Sequence, residues 1–198
     1  MNTALIVALL GAIITALGWL ITNILSTSTE RRHQRLIAQV EFARQQLEEL
    51  YGPLAFLVLE GEQSERDLRE IIGDDIFENE EIEEDALKTW LFWVENDFFP
   101  RHQKIVGLLS SKTHLIEGES IPKSFLAFLS HSHSWKIIHE RWQKQGIEYA
   151  WYSKVRYPLK FNKEVLSTFE YLKKHHSILI GKISEDENLF LFFRRKRT

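Results

Sequence analysis

Between Ala4 and Leu25 the chain runs for 22 residues without a charge, as ALIVALLGAIITALGWLITNIL. A helix of that length spans roughly 33 Å at 1.5 Å per residue, about the thickness of a bilayer's hydrocarbon core. No basic residue precedes the run, whereas Arg31, Arg32 and Arg35 follow it closely. A secretory signal has the opposite arrangement, with a basic leader, a shorter apolar stretch and a cleavage site. The expectation is therefore a single-pass transmembrane helix over residues 1–25. By the positive-inside rule its N-terminus lies outside and the remainder in the cytoplasm, which in a bacterium makes this an inner-membrane protein.

Small side chains recur within this segment at Ala4, Ala8, Gly11, Thr15, Gly18 and Thr22, spaced alternately four and three residues apart. A stripe of this kind lets helix backbones approach closely in lipid, and the threonines can add hydrogen bonds across the contact. The same period returns beyond the membrane at Leu36, Val40, Ala43, Leu47 and Leu50. Thr22, Thr29, Leu36, Ala43 and Leu50 are seven apart, so the two stripes share one phase if the helix is unbroken. This predicts a juxtamembrane helical stalk over 26–51 and a homo-oligomeric seam through Ala4, Ala8, Gly11, Thr15, Gly18, Thr22, Leu36, Val40 and Leu47. The bland alternative is that Leu36 to Leu50 packs on its own domain.

Residues 52–198 form a further helical domain. Tyr51-Gly52-Pro53 interrupts the first helix, since glycine suits a helix end and proline a helix start, and a new helix begins at Pro53 with Leu54, Leu57 and Val58 for the core. Ala86–Phe98 is the next helix, with a kink where Phe99 precedes Pro100 before the helix resumes to about Leu109. Ser110–Ile121 reads as a loop containing Gly118. Ser120 then caps a helix that has Pro122 in its first turn and ends near Lys144. After Pro158 comes a long helix with Phe161, Val165, Phe169, Leu172, His176 and Leu179 on one face. The tail Leu189–Phe193, then Arg194–Arg197, is a short strand or helix, and its basic end suits either an anionic leaflet or a solvated terminus. The expected fold class is all-α, with the transmembrane helix continuing into a cytoplasmic helical bundle.

Charge is unevenly spread. The net formal charge is −3, yet the acidic segment 60–85 holds 13 carboxylates against Arg66 and Arg69. It reads as a solvated face and loop, because no calcium-loop spacing is present. Cysteine is absent, which excludes disulfides, thiolate catalysis and Cys-ligated zinc. There is no G-x-S-x-G, H-E-x-x-H, P-loop or G-x-G-x-x-G. No histidine has an arginine at the upstream spacing of a HEPN-type nuclease. The reading is of a non-enzyme with no cofactor, metal or catalytic residue. His131 and His133, two apart on a helix, point away from each other and cannot share an ion. His131 and His139, on the side of Trp135 and Trp142, read as core-lining histidines.

The segment Arg141–Lys163 holds six basic residues and the single acid Glu148, interleaved with aromatics. Basic groups meet phosphates and aromatic faces stack bases, so Arg141, Lys144, Trp151, Lys154, Arg156, Lys160 and Lys163 are candidates for binding a nucleic acid or nucleotide. The competing reading makes the aromatics core and sets the cations against the acidic segment.

At LEELYGPLAFL (Leu47–Leu57), HLIEGESIPKSFLAFLSH (His114–His131) and WYSKVRYPLKF (Trp151–Phe161) the chain resembles an uncharacterised family of bacterial single-pass membrane proteins. In architecture it also resembles membrane effectors of bacterial anti-phage systems, the Hailong-type proteins among them, which assemble and permeabilise the inner membrane. That likeness implies an antiviral defence effector, pore-forming or membrane-disrupting, partnered by the lipid bilayer and by copies of itself. The rival expectation is a membrane-anchored, non-enzymatic adaptor that docks a protein or nucleic-acid partner.

Overall fold

The structure is a computed structural model. It describes the backbone of residues 3–73, 83–147, 149 and 155–195, and the side chains of these except 3–8, 25, 26 and 186–195. The described residues are almost wholly helical and contain no strand. Helix α1 is Thr3–Gln45, α2 is Gly52–Ile72, α3 is Glu84–Trp93 and α4 is Phe99–Ser111. Helix α5 is Lys123–Gln145 and α6 is Leu159–Arg195. Backbone contacts divide the chain into two units, one of Met1–Ala43 with His175–Thr198 and the other of Arg44–Lys174.

In the first unit, α1 carries a stretch long and apolar enough to cross a membrane, alone in this among the described residues. Leu10, Ile14, Leu17, Trp19 and Ile21 are all more than half exposed, on every side of the helix. Further along, Leu36 and Val40 are half-buried and Ala43 is buried, so the lower stripe is partly covered within a single chain.

In the second unit, the expected interruption at Gly52-Pro53 is absent, and at Phe99-Pro100 the helix continues to Ser111. A π-helical turn, Gln46–Tyr51, joins α1 to α2, and a second, Val94–Phe98, joins α3 to α4. Each stands directly before an X-Pro pair, Gly52-Pro53 and Phe99-Pro100. Proline clashes with the carbonyl four residues back and has no N–H to give it. The wider turn bonds instead to the fifth residue back: the Gly52 amide donates to Leu47 O and the Phe99 amide to Val94 O. The helix thus passes both prolines without stopping. Gly52 is indispensable to this arrangement, because an added Cβ stands 2.5 Å from Leu47 O.

The start of α5 also differs from expectation. Pro122, in extended conformation, is the N-cap, and its carbonyl accepts from the amides of Phe125 and Leu126. Ser120 lies outside the helix, because the proline's own carbonyl opens the first turn. Gly146, at φ +63°, ends α5 in the left-handed conformation that glycine adopts without strain.

The main core of this unit gathers Leu50, Tyr51, Leu54, Val58, Ile105, Leu109, Leu115, Phe125, Phe128, Phe161, Val165 and Leu172. Phe128 and Phe161 stack at 4.4 Å across α5 and α6. A second cluster joins Leu68, Val94, Phe98 and Trp135, with Ile72, Trp90 and Trp93 against it. The first π turn is fastened to the α4–α5 loop by buried Gln46, whose Nε2 donates to Leu115 O at 3.1 Å and Glu117 Oε2 at 2.8 Å. The Tyr51 hydroxyl accepts the Glu117 amide at 3.0 Å. The acidic segment is helical up to Ile72; Ile76 and Phe77 lie outside the described residues.

Candidate functional site

Between the two hydrophobic clusters lies a cavity of about 430 Å³, lined wholly by residues of the second unit. That volume falls in the range of small-molecule sites. Helix α2 supplies Leu57, Val58, Gly61, Glu62 and Arg69, and α4 supplies Arg101, His102 and Ile105. Trp90, Phe98, Trp135 and Tyr157 bring aromatic walls, and His131 and Asn162 bring further polar groups. Arg101, His102, His131 and Asn162 are all buried, with exposures of 9% or less.

Burial of a guanidinium requires compensation. Arg101 Nη2 donates to Asp97 one turn back, and its Nε lies 3.5 Å from Glu60. Asp97 also accepts from the Ser64 hydroxyl, which in turn accepts from Trp93 Nε1 at 3.1 Å. One relay thus ties α2, α3 and α4 together. Gly61 leaves room for the guanidinium, since an added Cβ there stands 3.1 Å from Arg101 Nη1. Asn162 Nδ2 donates to Glu62 Oε1 at 3.0 Å, while its Oδ1 accepts the Tyr157 hydroxyl.

The imidazoles are neutral. Burial pushes His102 down to about 3, assisted by neighbouring His131 and Arg101. Its Nδ1 is enclosed and has no hydrogen-bond partner among the described residues. Around it stand Phe128 at 5.1 Å, Trp135 at 5.5 Å and His131 at 5.6 Å between ring centres. His131 is also lowered by burial, against the opposing pull of its bond to Val155 O at 2.6 Å. A carbonyl only accepts, so Nδ1 of His131 carries the hydrogen. His139, outside the cavity lining, is lowered by burial despite Glu95 at 3.3 Å. Tyr157 is raised by burial and by the carboxylates of Glu62 and Glu65.

The residues singled out in the sequence take varied places. Gly11 and Gly18 are exposed on α1, and a Cβ added at either meets nothing within 4 Å. The Thr15 and Thr22 hydroxyls donate to the carbonyls of Gly11 at 2.9 Å and Gly18 at 2.8 Å within their own helix. Ala4 and Ala8 lie on α1, their side chains outside the described residues. Leu47 packs against the main core. Of the basic-aromatic set, Arg156 lines the cavity. Arg141 bonds Gln145 and Lys144 bonds Glu140 on the last turns of α5, and Lys160 and Lys163 are exposed on α6. Trp151 and Lys154 lie outside the described residues. His131 and His139 are buried, at 5% and 4% exposure.

Sequence reasoning passed over Arg101 and His102. A signal was present, because Val94, Phe98, Arg101, Ile105 and Leu109 follow helical spacing with one charge in an apolar register. Among the described residues no group of three or more His, Asp or Glu side chains is placed to hold a metal. Compared with family models, curated proteins and solved structures, the chain matches none. Among the described residues, fold and site together define an all-helical protein with one helix long and apolar enough to cross a membrane and a cavity-bearing helical unit.

Proposed function

We propose that this protein is a homo-oligomeric single-pass effector of the bacterial inner membrane, of the defence type. In this reading the apolar part of α1 crosses the bilayer with its N-terminus outside. The helical domain lies in the cytoplasm and controls assembly or opening of the α1 helices. The observation that carries the reading is the bare apolar length of α1. Leu9, Ile13, Ile14, Leu17, Leu20 and Ile24 meet no other part of the chain well enough to be buried. A surface this large and apolar requires lipid, other copies of itself, or both. Arg31, Arg32 and Arg35 beyond it support the inward placement of the domain. Control by the domain is supported by helix continuity, since α1 passes through a π turn directly into α2, which carries Leu54 and Val58 of the core.

Expression in bacteria loaded with a membrane-potential dye tests this function. Depolarisation on induction, before growth arrest, is the expected result. An unchanged potential under every inducing condition replaces the effector with an anchored adaptor.

A further inference from the structure

From the α2–α4–α5–α6 cavity we infer that the helical domain binds an uncharged, flat aromatic heterocycle with hydrogen-bonding groups, in the manner of a nucleobase or nucleoside. The cavity lies wholly within Arg44–Lys174, so the inference does not depend on the membrane role of α1.

Shape and lining set the class. About 430 Å³ accommodates a bicyclic ring with a modest substituent. Trp90, Trp135, Phe98 and Tyr157 offer aromatic surface, and Leu57, Val58 and Ile105 an apolar floor. Aromatic walls favour a flat ring, through offset or edge contacts. Hydrogen-bonding capacity comes from the imidazoles and from Asn162. His102 lines the cavity, and its Nδ1 has no hydrogen-bond partner among the described residues. A buried polar atom without a partner is costly, and native structures carry few of them. A turn of this ring about its Cβ–Cγ bond exchanges the edge bearing Nδ1 with its opposite. A ligand N–H or carbonyl bonded to the imidazole then removes that cost.

Charge decides against a phosphate. Of the three arginines that line the cavity, Arg101 is matched by Asp97 and Glu60 and Arg69 by Glu65 at 2.7 Å, while Arg156 is exposed to solvent. Glu62 also lines the cavity, and among the described residues its carboxylate accepts the Asn162 amide. A dianion brought here meets committed guanidiniums and a carboxylate. A free organic cation meets Arg101 and Arg69 themselves. An uncharged ring avoids both penalties.

Calorimetric titration of the full-length chain in detergent, with uridine, guanosine, inosine and hypoxanthine, tests the site. The controls are UMP, GMP and benzyltrimethylammonium. At least one neutral compound is expected to saturate one site per chain, with its monophosphate at least tenfold weaker. His102→Phe keeps a ring and removes the nitrogens; it is expected to weaken binding at least tenfold without lowering the thermal midpoint. Leu159→Trp, at an exposed position on the rim, is a second variant that leaves the core untouched, and it is expected to weaken binding at least threefold. The inference is overturned if no neutral compound saturates by millimolar concentration, if a monophosphate or the cation binds more tightly, or if both variants bind as wild type. Loss of this binding site leaves the depolarisation result unaffected, so the two proposals fail separately.

Discussion

The amide of Gly52 donates to the carbonyl of Leu47, five residues back, and a Cβ on Gly52 stands 2.5 Å from that same oxygen. The contact is backbone against side chain, so relief requires the helix to move rather than a rotamer to turn. Gly52→Ala is expected to destabilise the domain by about 2–4 kcal/mol, the range of strain and overpacking at a fixed backbone. Gly107→Ala is the control, since a Cβ at that exposed position on α4 meets nothing within 4 Å. It is expected to gain about 0.5–1 kcal/mol. Denaturant unfolding followed by tryptophan fluorescence measures both, and equal effects of the two substitutions contradict the π-turn account.

Acid sensitivity follows from His102. Its folded value of about 3 lies below the ordinary 6.5 of an unfolded histidine, so the unfolded chain binds more protons between those limits. The stabilising contribution is therefore complete above pH 6.5 and is lost progressively as pH falls toward 3. The whole loss is at most about 5 kcal/mol, at 1.36 kcal/mol per unit. His102→Phe has no such proton to take up. Its stability relative to wild type is expected to rise steadily from pH 6.5 to pH 4 in denaturant melts. A constant difference across that range refutes the assignment.

The Arg101–Asp97 pair holds α2, α3 and α4 through Ser64 and Trp93. Arg101 is 5% exposed, whereas the Asp97 and Glu60 side chains are 32% and 48% exposed. Water can therefore re-solvate much of what Arg101→Met leaves behind. The expected loss is about 2–3 kcal/mol, below the cost of stranding a fully buried charge. Asp97→Asn keeps the Ser64 bond and is expected to lose less. A denaturation midpoint unchanged by Arg101→Met shows that this network does not hold the helices.

Thr15 and Thr22 already spend their hydroxyls on the carbonyls of Gly11 and Gly18. In the proposed seam on α1, contact then depends on close backbone approach at the glycines rather than on threonine bonds between helices. Thr15→Val with Thr22→Val is expected to change the self-association constant in detergent by less than twofold. A tenfold loss in sedimentation equilibrium assigns the threonines a direct bond across the contact.

Much of the helical frame was legible because apolar spacing reports burial directly. Of the six residues read onto one face of the last helix, Phe161, Val165, Leu172 and Leu179 are buried and Phe169 and His176 half-buried. His131 and His139, set among tryptophans, were read as core residues, and both are buried. The proline rules misled at Pro53, where an interruption was expected and the helix continues. They presume a bond to the fourth residue back, and a π turn substitutes the fifth. The cavity was missed for a related reason. Its buried polar groups come from Arg101 and His102, which lie just after the second π turn, and from Asn162, sixty residues on. Only the folded chain brings these together. The basic-aromatic segment drew the eye by composition, yet Arg156 alone of its described cations lines the cavity.

Depolarisation by a Gly11→Leu, Gly18→Leu double variant, at membrane abundance matched to wild type, tests the central claim most directly. Leucine at both positions leaves the segment apolar and long enough to span, while keeping the backbones of neighbouring helices apart. The account predicts that wild type collapses the membrane potential on induction and that the double variant, equally abundant in the membrane, does not. Depolarisation by the variant at the wild-type rate contradicts it.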